Sequence, residues 1–99
     1  MATENHFVLR LFVAGSTKHS VRAVANLNRL CERHLQGRCE MEVVDIYQFP
    51  ERAAPAQIFA APTLVKEFPL PARRIIGDMT DEAGLLSALG LPAPSAALN

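Results

Sequence analysis

The chain opens on residues 6–14 (HFVLRLFVA), a run that is apolar almost throughout, rich in β-branched and aromatic side chains, and broken by Arg10. Such a pattern predicts a strand covered on both faces. Residues 15–18 follow as a loop, with Ser16 or Thr17 placed to cap a helix. From His19 to Leu35 the period changes. Val21, Val24, Leu27, Leu30, Cys31 and Leu35 fall on one half of a helical wheel, the wide apolar face of a helix packed on a sheet, and Gly37 is placed to end it. Residues 39–46 (CEMEVVDI) begin in alternation and end apolar, as a half-buried strand becoming fully buried would. Strand, helix and strand in this order make a βαβ unit with parallel strands and a right-handed crossover.

Pro50 suits the first turn of a second, short helix over residues 50–59, although Pro55 costs it regularity. Residues 61–66 (APTLVK) read as a strand that opens on proline, where the missing N–H costs the sheet least. Residues 68–71 make a stiff connection, residues 73–76 (RRII) a last short strand, and Gly77 and Asp78 punctuate it. Thr80 is then predicted to cap a final helix, with Asp81 and Glu82 in its positive first turn and Leu85, Leu86, Ala88 and Leu89 on its apolar face. Pro92 and Pro94 stop it, leaving residues 92–99 as a frayed tail. Nothing divides the 99 residues, so residues 1–99 are read as one domain.

Composition changes this picture in two ways. Ten Lys and Arg balance ten Asp and Glu, which argues against a nucleic-acid-binding surface, and six aromatics offer no basic-aromatic alternation for stacking bases. No apolar run approaches the roughly 20 residues of a membrane span. The first residues lack the features of a secretory signal, so a cytoplasmic protein with reduced cysteines is expected. The second change concerns distribution. Lys18, Arg22, Arg29 and Arg33 share a sector of about 60° on the first helix, opposite the apolar stripe. This sector is either a solvated face or a docking surface for an acidic partner, and Arg73 and Arg74 invite the same two readings.

Candidate chemistry is sparse. Cys31 and Cys39 are read as buried small hydrophobes, Cys31 with His34 makes only one close pair of metal ligands, and Ser16, Ser20 and His19 are better explained by capping than by nucleophilic catalysis. No metal or cofactor is implied. The order βαβαββα, with Ala61-Pro62-Thr63 opening the third strand, resembles the thioredoxin fold, a three-layer α/β sandwich in which that proline is cis. Redox-active members carry Cys-x-x-Cys at the start of the first helix, where this chain has Thr17-Lys18-His19-Ser20, so dithiol enzyme chemistry is not expected.

Phe7-Val8-Leu9-Arg10-Leu11-Phe12-Val13-Ala14-Gly15, Ser20-Val21-Arg22-Ala23, Ala61-Pro62-Thr63-Leu64 and Arg73-Arg74-Ile75-Ile76-Gly77-Asp78 together resemble the KaiB circadian-clock family over about residues 6–91. The resemblance implies a non-enzymatic regulator that binds a KaiC-type ATPase, times its phosphorylation cycle, and works with KaiA or a SasA-like kinase. It also implies a metamorphic half after about residue 50, with a tetrameric ground state and a monomeric thioredoxin-like state, so Pro62, Gly77, Asp78, Ala88 and Gly90 are candidate fold-switch positions. Homodimer and homotetramer both stay open. By position, Lys66, Arg73 and Arg74 look like parts of the KaiC contact and Arg22 like a residue facing KaiA. The family's lysine before Ile58 is Gln57 here. KaiB proteins typically carry Gly and then Asp at the positions of Ala88 and Gly90; alanine favours helix there by about 1 kcal/mol over glycine, which is expected to tilt the balance toward the thioredoxin-like form. Two alternatives remain: a KaiB-derived signalling or stress adaptor with another partner, and a thiol redox protein using Cys31 or Cys39.

Overall fold

A computed structural model describes residues 6–58 and 60–91. Its strands are β1 (Phe7–Val13), β2 (Cys39–Asp45), β3 (Thr63–Phe68) and β4 (Arg73–Ile76), and its helices are α1 (Lys18–Leu30) and α2 (Glu82–Leu89). They form one mixed sheet in the order β2-β1-β3-β4, with β1 parallel to β2 and the other pairs antiparallel. The tail predicted at residues 92–99 lies outside the described residues.

Alternation along β1 sets the layers. Phe7, Leu9, Leu11 and Val13 point to one face, where they pack with Ala23, Leu27 and Leu30 of α1 and Leu85, Leu86 and Leu89 of α2. Phe12 points to the other face and packs with Val44 and Ile58. β2 is an edge strand, so its second half is not fully buried as expected: Val44 is covered, while Val43 is 42% exposed.

The helix expected over residues 50–59 does not form. In its place a single 3-10 turn covers Pro50–Arg52, and irregular turns carry the chain to Ile58. Pro55 is the reason: it has no N–H to donate, and it disfavours the helical region for Ala54 before it. Arg52 N–H donates to the Phe49 carbonyl, Ala53 to Pro50 and Gln57 to Ala54, so short-range bonds replace a helical ladder. This segment still covers the second face of the sheet through Ala53, Ala56 and Ile58.

Capping refines the other boundaries. Thr17 Oγ1 accepts from Ser20 N–H, making Thr17 the α1 cap. Beyond Leu30 the helix widens into a π turn over Cys31–Leu35, and Gly37, at φ +76°, turns the chain back toward β2. Val21, expected on the buried stripe, lies at its margin and is 55% exposed. At α2 the cap is Asp81, whose Oδ1 accepts from Gly84 N–H, and not Thr80.

Candidate interaction surface

The basic residues singled out by pattern do not form one surface. Lys18 stands exposed in the first turn of α1 with no ion-pair partner among the described residues, and Arg29 bonds only Asn26 Oδ1, at 3.2 Å. Arg22 and Arg33 are more than half exposed, yet each meets a carboxylate from the second half of the chain. Arg22 reaches Asp78 at 3.8 Å, and Arg33 reaches Glu82 at 3.2 Å. Two carboxylates from the second half of the chain thus neutralise half of the predicted basic sector.

These contacts form two clasps. At the first, Asp78 accepts from His19 Nδ1 at 3.4 Å, and its backbone carbonyl accepts from Asn26 Nδ2 at 2.8 Å. At the second, His34 Nε2 lies 2.9 Å from Glu82 Oε2, beside Arg33. The π turn places Arg33 and His34 on the same carboxylate. The hydrogen bond from His34 holds Glu82 below the usual glutamate range, and Arg33 adds to it. Partial burial pushes Asp78 up, but the bonds from His19 and Thr80 outweigh it and hold this carboxyl low as well. His19 and His34, weighed from sequence as a base and a metal ligand, are clasp residues. Among the described residues no three His, Cys, Asp or Glu side chains converge to hold a metal.

Arg73 and Arg74 also part company, because neighbours on a strand face opposite sides. Arg73 pairs across the sheet with Lys66 on the helix-covered face. Lys66 is only 4% exposed, and burial, with Arg73 close by, pushes its ammonium below the ordinary lysine value. Arg74 points to the other face and donates to the carbonyls of Gln57, at 2.7 Å, and Ala56, at 2.9 Å. It fastens the irregular 50–58 segment to β4. Arg73 is exposed, on an edge strand, with no ion-pair partner among the described residues. Leu70, 73% exposed, lines the same cleft as Arg73, and Ile76, 66% exposed, stands on the opposite face of β4. The outward-facing positions are therefore Arg73, Ile76 and Leu70 at one sheet edge and Lys18, Arg22 and Arg29 along α1.

The candidate switch positions divide between the two ends of β4: Ala88 and Gly90 line the cleft with Arg73, and Gly77 and Asp78 line another beside Ile76. Pro62 is buried behind a cis peptide, and its carbonyl accepts from Gly77 N–H at 3.0 Å. Gly77 itself has φ +126°. Ala88 is inside α2, whereas Gly90 is its left-handed cap at φ +80°, with its N–H on the Leu86 and Ser87 carbonyls. Gly90 therefore carries none of the interior helix cost that a glycine would incur.

Two features escaped the sequence reading. Arg10, the one charge within β1, bridges Glu42 of β2 and Glu67 of β3, and Arg52 grips Glu42 with both terminal nitrogens at 3.0 Å. Alternation marks Arg10 as belonging to the face opposite Leu9 and Leu11, but only the strand order brings its partners to it. The cysteines are the second feature. They are half-buried rather than buried, and their sulfurs are 3.3 Å apart. The signal was present in Cys31 at the helix end and Cys39 at the strand start, with one glycine turn between them.

Comparison with known proteins places this geometry. The sequence model of the KaiB domain matches residues 10–91. The circadian clock oscillator protein KaiB of Synechococcus elongatus is 42% identical over 91 residues, covering 92% of this chain and 89% of the relative. The circadian clock protein KaiB3 of Synechocystis is 38% identical over 87 residues, covering 88% and 85%. Among solved structures, the N-terminal domain of Synechococcus elongatus SasA superposes with a TM-score of 0.69 at 21% identity, covering 86% of this chain and 84% of that one. Fasciola hepatica thioredoxin gives 0.71 at 20% identity, covering 89% and 82%. The structural matches establish a thioredoxin-like fold, and the sequence matches establish that the chain belongs to the KaiB family.

Proposed function

We propose that this chain is a non-enzymatic clock or timing regulator that binds a KaiC-type ATPase and modulates its phosphorylation cycle. The observation that carries the reading is the family match itself. It runs through the second half of the chain, where Lys66, Arg73 and Arg74 stand, as well as through the βαβ half. The geometry supports it at the β4 edge, which offers an uncompensated cation, two exposed apolar side chains and an unpaired strand edge. Arg73 is the residue of this group free to meet a carboxylate on a partner, while Arg74 and Lys66 act through the segments they hold. Arg22 remains 52% exposed despite its contact with Asp78, so the α1 face can receive KaiA or a SasA-like kinase.

The same reading includes a second arrangement of the half after about residue 50, in a homodimer or homotetramer. In the thioredoxin-like arrangement that half is held to α1 by the two clasps and by the leucines of α2. Rearrangement would break both clasps and leave the βαβ half intact. Capture of purified KaiC from the same genome, in each nucleotide and phosphorylation state, tests the function. Arg73→Ala is expected to weaken capture by on the order of tenfold or more, and the effect shrinks at high salt. Failure to capture KaiC in any state overturns the reading and leaves an adaptor for another partner.

A further inference from the structure

The sulfurs of Cys31 and Cys39 meet at 3.3 Å across the end of α1 and the start of β2, eight positions apart in the chain. Both are free thiols and both are half-buried. They line an open cleft of about 450 Å³ with Asn28, Glu32, Gly37 and Met41, so a small oxidant can reach them. A disulfide needs the sulfurs at about 2.05 Å. The sulfurs must approach by about 1.25 Å to bond, and neither side chain is fully enclosed.

We propose that Cys31 and Cys39 are a reversible, non-catalytic oxidation site that closes to an intramolecular disulfide when the protein meets a hydroperoxide. The two cysteines have distinct roles. Either sulfur can donate in this contact; with the Cys31 thiol as donor, the bond lowers the Cys39 pKa and raises that of Cys31. Cys39 is accordingly the attacking thiolate. Its sulfur takes an oxygen from the hydroperoxide as the O–O bond breaks, giving a sulfenic acid, with water or an alcohol leaving. Cys31 then loses its proton and attacks the Cys39 sulfur; the S–O bond breaks, the S–S bond forms and water departs. Two thiols lose two electrons in all, and the peroxide gains them. The bond staples the π turn to β2, within the βαβ half.

The test is mass spectrometry of the full chain treated with hydrogen peroxide and then with N-ethylmaleimide. The expected product is monomeric, lighter by two hydrogens, closed to alkylation at both cysteines and reopened by dithiothreitol. Peptide mapping should join the Cys31 and Cys39 peptides. In Cys31→Ser, Cys39 should stop at a sulfenic acid trapped by dimedone; in Cys39→Ser, Cys31 should stay alkylatable. Circular dichroism confirms that each variant is folded, and a variant that does not fold is replaced by Cys→Ala at the same position. Both thiols remaining open to alkylation, only intermolecular dimers, or direct conversion to sulfinic acid would overturn the proposal. KaiC capture is scored separately, because the disulfide stands or falls without it.

Discussion

Gly90 allows a backbone argument to be tested without interference from packing. It closes α2 in the left-handed region at φ +80° and ψ +20°, and a Cβ built there meets nothing within 4 Å. Any cost of Gly90→Ala is therefore conformational. An L-residue in this region costs about 1 kcal/mol or somewhat more, while asparagine is tolerated better because its side chain bonds locally. For a domain of this size about 1 kcal/mol lowers the unfolding temperature by roughly 4–8 °C. Thermal unfolding followed by circular dichroism should rank Gly90 above Gly90→Asn above Gly90→Ala. If the second half has another arrangement, the same energy shifts the ratio of the two forms about fivefold, readable as new amide peaks in NMR spectra. An alanine variant as stable as the parent, or more stable than the asparagine variant, would refute the reasoning and place the helix end elsewhere.

Two further outcomes follow from the contacts. Glu82 and Asp78 have depressed folded-state pKa values, so their stabilisation is complete above the usual carboxylate range and is lost as the pH falls through the folded values. Glu82→Gln should be less stable than the parent at neutral pH and converge with it in acid; a constant gap in denaturant melts from neutral to acid pH would contradict the clasp. Arg74→Ala should loosen the 50–58 segment it holds by two carbonyl bonds, raising amide exchange at Gln57 and Ile58 by about tenfold or more while the β1 amides are unaffected. Unchanged exchange at those two amides would show that Ala56 and Ile58 packing alone holds the segment.

How much was legible in the sequence depended on the range of the interaction. Strand and helix periodicity located β1, α1, β2, β4 and α2, because burial of one face leaves a repeat that a single chain displays. The 50–58 segment was misread because its alanines and Pro50 favour a helix start, whereas one residue, Pro55, decides against continuation. The basic surface was misread for another reason. A wheel gives the angular position of Arg22 and Arg33 on the helix but not what is folded against them, and Asp78 and Glu82 arrive from far along the chain. Arg73 and Arg74, adjacent in sequence, serve opposite faces of the sheet. Charges next to one another in a list are separated by the pleat.

The two ends of α1 differ in how each would support thiol chemistry on this thioredoxin-like scaffold. Reactive thiolates in such scaffolds sit at the helix N-terminus, where free N–H groups and the positive end of the helix dipole stabilise sulfur anion. Here a capping side chain stands at that end in place of sulfur: Thr17 Oγ1 accepts from Ser20 N–H, and the Ser20 hydroxyl, 1% exposed, accepts from Ala14 N–H at 3.0 Å. Ser20 bolts the β1–α1 turn shut at the position where chemistry would otherwise occur. The sulfurs lie at the opposite end, where the carbonyl-rich terminus disfavours an anion, and Cys39 depends on a single bond from Cys31 to support its charge. A thiolate so weakly supported suits slow response to an oxidant and does not suit rapid turnover with substrate disulfides. Substituting Ser20 by cysteine would therefore not create a dithiol enzyme, because Ser20 stands at the second cysteine position of the four-residue motif and Thr17, at the first, supplies a capping hydroxyl in place of a thiol.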